Sequence, residues 1–193
     1  MSGYAADLIE HIQRTWGRTG ILRDLTQGRR AALPPEWRVL ELPAFNRREY
    51  WMYGTVGMSG PGDADAVELY MLAPAPDPGL LEILAAVSDF HRTGERLGWG
   101  HSVNFGRPWL ENSRCTFGLL SLPYLFGPEF EAFRSGDASA RILWLLPITP
   151  EERDYKIAHG LEALELLFES APFDYLDPDR PSVVTREGPA AEL

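Results

Sequence analysis

His101, Ser102 and Glu111 lie within one short stretch and are the residue types of an acid, base and nucleophile set. A hydrolase would need the imidazole aligned on the hydroxyl and the carboxylate aligned on the imidazole, and closeness in sequence supplies neither alignment. Two other patterns stop short of chemistry. Gly57-Met58-Ser59-Gly60 begins like a nucleophile elbow, but Pro61 stands where the pattern needs glycine, and a turn is the better reading. Gly98-Trp99-Gly100 opens like a dinucleotide fingerprint, but Val103 occupies the third glycine position. His11, His91, His101 and His159 are scattered over different predicted elements without metal-ligand spacing, so no metal and no cofactor is assigned.

Recognition asks less of alignment than catalysis does. Trp99 and Trp109 can supply rigid apolar contact area, and His101, Asn104, Arg107, Glu111 and Asn112 directional contacts around it. The competing reading is that both tryptophans close the core while the polar side chains satisfy loop backbone. A second candidate contact surface is acidic: Glu162, Glu165 and Glu169 recur with Glu151 and Asp154 on one face of a predicted helix, a face that is otherwise simply solvated.

The elements that must position these groups follow from periodicity. Leu8, Ile12 and Trp16 at four-residue spacing predict an amphipathic helix over Tyr4 to Arg18. Strands are expected over Trp37 to Leu42, over Glu49 to Val56 and over Val67 to Leu72, the last two as an antiparallel pair across Gly60-Pro61-Gly62-Asp63. Leu80, Ile83, Leu84, Val87, Phe90 and His91 mark the face of a helix from Pro78 to Leu97, with Asp77 at its start. His91 on that face reads as a packed or hydrogen-bonded residue. Cys115 to Leu122 and Ile142 to Leu146 read as strands, and the second, apolar on both faces, should be central and covered on each side. Phe130 and Phe133 suggest a short helix between Phe126 and Gly136. Thr149-Pro150-Glu151-Glu152 spells a capping box, from which one long helix should run to Pro172 with Ile157, Leu161, Leu164 and Phe168 inward.

Composition bounds the rest. The chain of 193 residues is 45% hydrophobic and carries a formal charge of -10, which suits one folded domain and disfavours broad attraction to nucleic acid or anionic membrane. Residues 1–48 carry about +3 and the remainder about -13, so a basic partner would suit the larger part. Cys115 is the only cysteine, which excludes an intrachain disulfide and fits an inert core thiol. No signal-like or membrane-length apolar run is present, and a cytoplasmic location is the simplest expectation. Residues 1–180 are expected to form a single domain and 181–193 a peripheral tail.

Four ordered segments, Thr55-Val56-Gly57-Met58-Ser59, Glu68 to Leu72, Gly100-His101-Ser102-Val103 and Leu146 to Glu152, together resemble the suppressor-of-fused family. The resemblance spans roughly residues 35 to 170. It implies an α+β fold, a mixed and largely antiparallel sheet flanked by helices in an α/β sandwich, and a protein-binding, non-catalytic role. The chain is about long enough for the family's N-terminal-type domain, which does not suit a two-domain clamp on a peptide. Bacterial single-domain relatives resemble immunity proteins, so the resemblance implies neutralisation of a polymorphic toxin, a basic toxin domain being the expected partner. An intracellular scaffold or regulator of another protein or peptide is the alternative, and a hydrolase built on the His101 region a third.

Overall fold

The computed structural model describes residues 3–25, 33–45 and 50–184. Its framework is an eight-stranded sheet, built from β1 (Ile21–Arg23), β2 (Arg38–Leu42), β3 (Trp51–Val56), β4 (Val67–Ala73), β5 (Ser102–Asn104), β6 (Phe117–Ser121), β7 (Ala132–Ser135) and β8 (Ala138–Ile148). The order is β1-β2-β3-β4-β8-β6-β5, with β7 also on β8. Only β4 and β8 pair in parallel among the described strands, Leu69 opposite Leu143 in register. The sheet is therefore mixed and mostly antiparallel, as the sequence suggested.

β8 is central and apolar on both faces, so each face needs its own cover. Leu143 and Leu145 point to one core, shared with Leu69 and Met71 of β4, and with Leu80, Leu84 and Val87 of α2 (Gly79–Thr93). Ile142, Trp144, Leu146 and Ile148 point to the other, shared with Leu8, Ile12 and Trp16 of α1 (Gly3–Trp16) and Phe130 of α3 (Pro128–Glu131). Burying a large aliphatic side chain contributes about 2 kcal/mol, so these two layers dominate the stability. Asp77 accepts from the Gly79 N–H at 2.7 Å and steadies the start of α2. Phe90, expected on the inner face of that helix, is 46% exposed.

Two helical expectations are corrected. The segment around Phe130 and Phe133 is only a four-residue helix, after which β7 turns at Gly136-Asp137 and pairs back onto β8, Ser135 opposite Ala138. Both phenylalanines are buried, one from the helix and one from the strand, so their spacing fits either form. The capping box after β8 forms as read: Thr149 Oγ1 accepts from the Glu152 N–H at 3.3 Å, and Glu152 accepts from the Thr149 N–H at 2.8 Å. The helix it starts is not continuous. α4 (Pro150–His159) and α5 (Leu161–Ser170) are separated by Gly160, whose φ of 92° lies in the left-handed region that favours glycine. Ile157 is consequently 66% exposed instead of inward, while Leu164 is fully buried.

Candidate functional site

The connection from α2 to β6 is held in a defined shape by backbone pairing and by one amine. Gly100 N–H donates to the Leu120 carbonyl and Leu120 N–H donates to the His101 carbonyl, at 2.8 and 2.9 Å, extending the pairing of β5 with β6. Lys156 of α4 reaches across to donate to the Gly100 carbonyl and to Ser102 Oγ, at 2.5 and 3.3 Å. Partial burial lowers the Lys156 pKa from its ordinary value. Phe105, just after β5, packs over β6 into the room left by Gly118: a Cβ there would lie 2.6 Å from both the Leu145 and the Phe105 side chains.

The predicted recognition residues do not converge on one surface. Trp99, 47% exposed, and His101 line a surface cavity of about 550 Å3 together with Arg96, Arg134, Arg141 and Asp63. Arg107, Glu111 and Asn112 line a separate cavity of about 400 Å3, where Arg107 pairs with Glu82 at 3.1 Å. Asn104 is exposed, and its side-chain oxygen is taken up locally by the Gly106 N–H at 2.8 Å. Trp109 is a correction. It is 1% exposed and belongs to the core beneath α2, so it is structural cover and not an anchor on the rim.

The acidic side chains also divide: the break at Gly160 leaves Glu151 and Asp154 on α4 and Glu162, Glu165 and Glu169 on α5. Glu165 and Glu169 stand over a third cavity of about 400 Å3, whereas Glu162 is exposed away from the three cavities. Glu165 accepts from the Tyr124 hydroxyl at 3.0 Å. Loss of solvent and the Glu165 hydrogen bond push the Tyr124 hydroxyl up to about 12.

The candidate catalytic sets have poor geometry. His101 and Glu111 line different cavities, and His101 Nδ1 accepts from the Gly98 N–H at 3.3 Å. The fold does bring Ser59 within 3.4 Å of His91 Nε2. Yet His91 Nδ1 accepts from the Leu97 N–H at 2.9 Å, which places the proton of the neutral ring on Nε2 and leaves that nitrogen no lone pair for base catalysis. Burial, then neighbouring Arg96, lowers the His91 pKa and so favours that neutral ring. Ser59 Oγ is bound at 2.9 Å to both the carbonyl and the N–H of Val67, and Ser59 and His91 are each 1% exposed. The pair is a packed connection between the β3–β4 turn and α2. Among the described residues no three His, Cys, Asp or Glu side chains gather as metal ligands, and no helix is long and apolar enough to cross a membrane. Cys115 is buried, which raises its thiol pKa.

The burial of two carboxylates, Glu68 and the capping residue Glu152, escaped the sequence reading. Glu68 accepts from Thr55 Oγ1 and from the N–H groups of Gly57, Met58 and Ser59, tying the turn after β3 to β4. Its burial pushes the carboxyl up to about 7 against the pull of those four donors. A charged residue inside the apolar run Ala66 to Ala73 was the available signal. Glu152 is fully buried, and Arg180 grips both its oxygens at 2.7 and 2.8 Å. Arg180 also lies 4.6 Å from the Phe173 ring centre, so this pair fastens the segment after α5 across the end of β8. Its partners are 28 residues apart, and no local pattern announces it.

Residues 34–181 match the family model described as Suppressor of fused protein. A suppressor of fused homologue from Neisseria gonorrhoeae FA 1090 is 32% identical, with 95% of this chain and 98% of that chain covered and a TM-score of 0.81. The crystal structure of the Sufu–Fu complex holds a chain of the same fold, 12% identical, with 93% of this chain and 92% of that chain covered and a TM-score of 0.70. Drosophila Suppressor of Fused is likewise 12% identical, with 93% of this chain but 51% of that chain covered and a TM-score of 0.67. No match was found among the curated proteins.

Proposed function

The chain belongs to the suppressor of fused family, and we propose that it is a non-catalytic protein-binding domain that presents Trp99 and His101 to its partner. The observation that carries this reading is a half-exposed tryptophan at the edge of the largest of the three cavities, on a connection fixed to β6 and α4 rather than hanging free. An exposed aromatic with a rigid base loses little conformational entropy on docking, which is what an interface anchor needs. Arg96, Arg134, Asp63 and His101 around it offer directional contacts of both charge signs. A protein of this fold is solved as a Sufu–Fu complex, which supports a partner protein over a small substrate.

The finer reading is immunity: direct neutralisation of a polymorphic toxin with a basic domain. The acidic excess over residues 49–193 would speed capture of such a toxin and Trp99 would then anchor it. A toxin gene adjoining this one supplies the test. Co-expression should rescue cells and the pair should copurify; neither occurring with any neighbouring toxin sinks the immunity reading while leaving a scaffold or regulator of another protein in place. Turnover of small ester or amide substrates that His101→Ala abolishes without unfolding would overturn the non-catalytic reading itself.

A further inference from the structure

The third cavity is formed between the turn after β6, the exposed face of α5 and the strap that follows it. Its apolar lining includes Leu125, Trp144, Phe168, Phe173 and Tyr175. Phe168 and Phe173 are stacked with ring centres 4.3 Å apart, and Tyr175 meets Trp144 edge-on at 5.0 Å. Tyr124 and Leu125 on one rim are 61% and 42% exposed. Beside them stand Glu165, which accepts from the Tyr124 hydroxyl at 3.0 Å, and Glu169, one helical turn apart on α5, with no basic side chain among the described residues that line the cavity. Trp144 is 5% exposed, and its indole N–H, closed off from solvent, finds no hydrogen-bond acceptor among the described residues.

We propose that this cavity is a second docking site, which takes an arginine of a basic, apolar-flanked segment of a partner protein. Glu165 and Glu169 face a cation with two carboxylates and nothing positive to compete. The aromatic lining suits the flat, weakly hydrated guanidinium and the methylenes beneath it better than the compact, strongly hydrated ammonium of lysine. Leu125, Phe168 and Phe173 give the flanking side chains of the segment an apolar surface, so the site reads a peptide and not a free ion. Arg180, across the Phe173 ring and locked to Glu152, holds the strap that walls the cavity and is itself too buried to serve as the occupant.

This inference rests on a protein partner, but the test uses a synthetic peptide, so its failure is distinct from failure to find that partner. The whole chain, labelled with nitrogen-15 on its tryptophans, is titrated with acetyl-Leu-Arg-Leu-amide and with the same peptide carrying neutral citrulline for arginine. The arginine peptide should move the Trp144 indole cross-peak in a saturable way, at least about tenfold more tightly than the citrulline peptide at low salt. Glu165→Gln with Glu169→Gln, both at the rim, should remove that preference without changing the unfolding midpoint. No movement of the cross-peak up to about 10 mM peptide, in the range of the weakest specific binding, overturns the proposal. Equal binding of the citrulline peptide does so too, since the site then takes any apolar segment. A shift that grows with protein concentration alone also overturns it, because a second copy of the chain then fills the cavity.

Discussion

Arg180→Met tests whether the strap after α5 is held by its buried ion pair. The substitution removes two hydrogen bonds to Glu152, at 2.7 and 2.8 Å, and one each to the Pro147 and Pro181 carbonyls. It strands a fully buried carboxylate whose remaining donors are the N–H groups of Thr149 and Val183, at 2.8 and 3.0 Å. Removing one member of a buried pair costs about 3–5 kcal/mol, most of it the penalty of the charge left behind. Arg180→Met with Glu152→Met removes that charge but leaves the Thr149 and Val183 N–H groups without their acceptor, a loss of about 1 kcal/mol each. The double variant should therefore be more stable than the Arg180→Met single variant by about 2 kcal/mol, the residue of those two figures. Urea unfolding of the wild type, both single variants and the double variant gives the cycle. A single-variant loss under about 1 kcal/mol, the range of an exposed pair, or additive effects in the cycle, would refute the reasoning.

Three further outcomes follow from the buried groups and the connection they support. The Glu68 carboxyl is raised from 4.5 to about 7, so folding favours its protonated form: the stability it contributes is full below the unfolded value and is lost as pH rises through the folded one. Against Glu68→Gln, the wild type should lose about 3 kcal/mol between about pH 4 and pH 8, read as denaturation midpoints, and a pH-independent difference contradicts this. Gly160→Ala forces a left-handed φ on a side chain and should cost about 1 kcal/mol in thermal unfolding; no change in midpoint would mean that α4 and α5 can join as one helix. Cys115, buried and with a raised pKa, should react with a thiol reagent only at the rate of unfolding, and fast labelling of the native chain would show that its cover opens.

Local patterns carried the elements they could specify. The capping box at Thr149 and Glu152, the strands β3 and β4 and the central position of β8 were legible because each depends on neighbours in sequence or on an apolar run that must be covered twice. The break at Gly160 was missed because the 3.6-residue apolar period continues across it, and a period does not register one residue of reversed φ. β7 was missed because Phe130 and Phe133 suit a helix; the signal lay in Gly136-Asp137, a two-residue hairpin turn. The candidate site fared worse for a plain reason. Whether a tryptophan in a loop faces water or core depends on what folds over it, which neither Gly98-Trp99-Gly100 nor Pro108-Trp109-Leu110 spells out, yet Trp99 is 47% and Trp109 1% exposed.

The central claim, a protein-binding surface at Trp99 and His101, is tested most directly by purifying the tagged chain from its native cells beside Trp99→Ala with His101→Ala. Both residues are exposed, so the variant should fold with an unchanged unfolding midpoint. The wild type should retain one partner protein in constant ratio, and the variant should lose it by at least about tenfold, the effect of removing an interface anchor. Equal retention by the two chains, or no retained protein with either, would contradict the account.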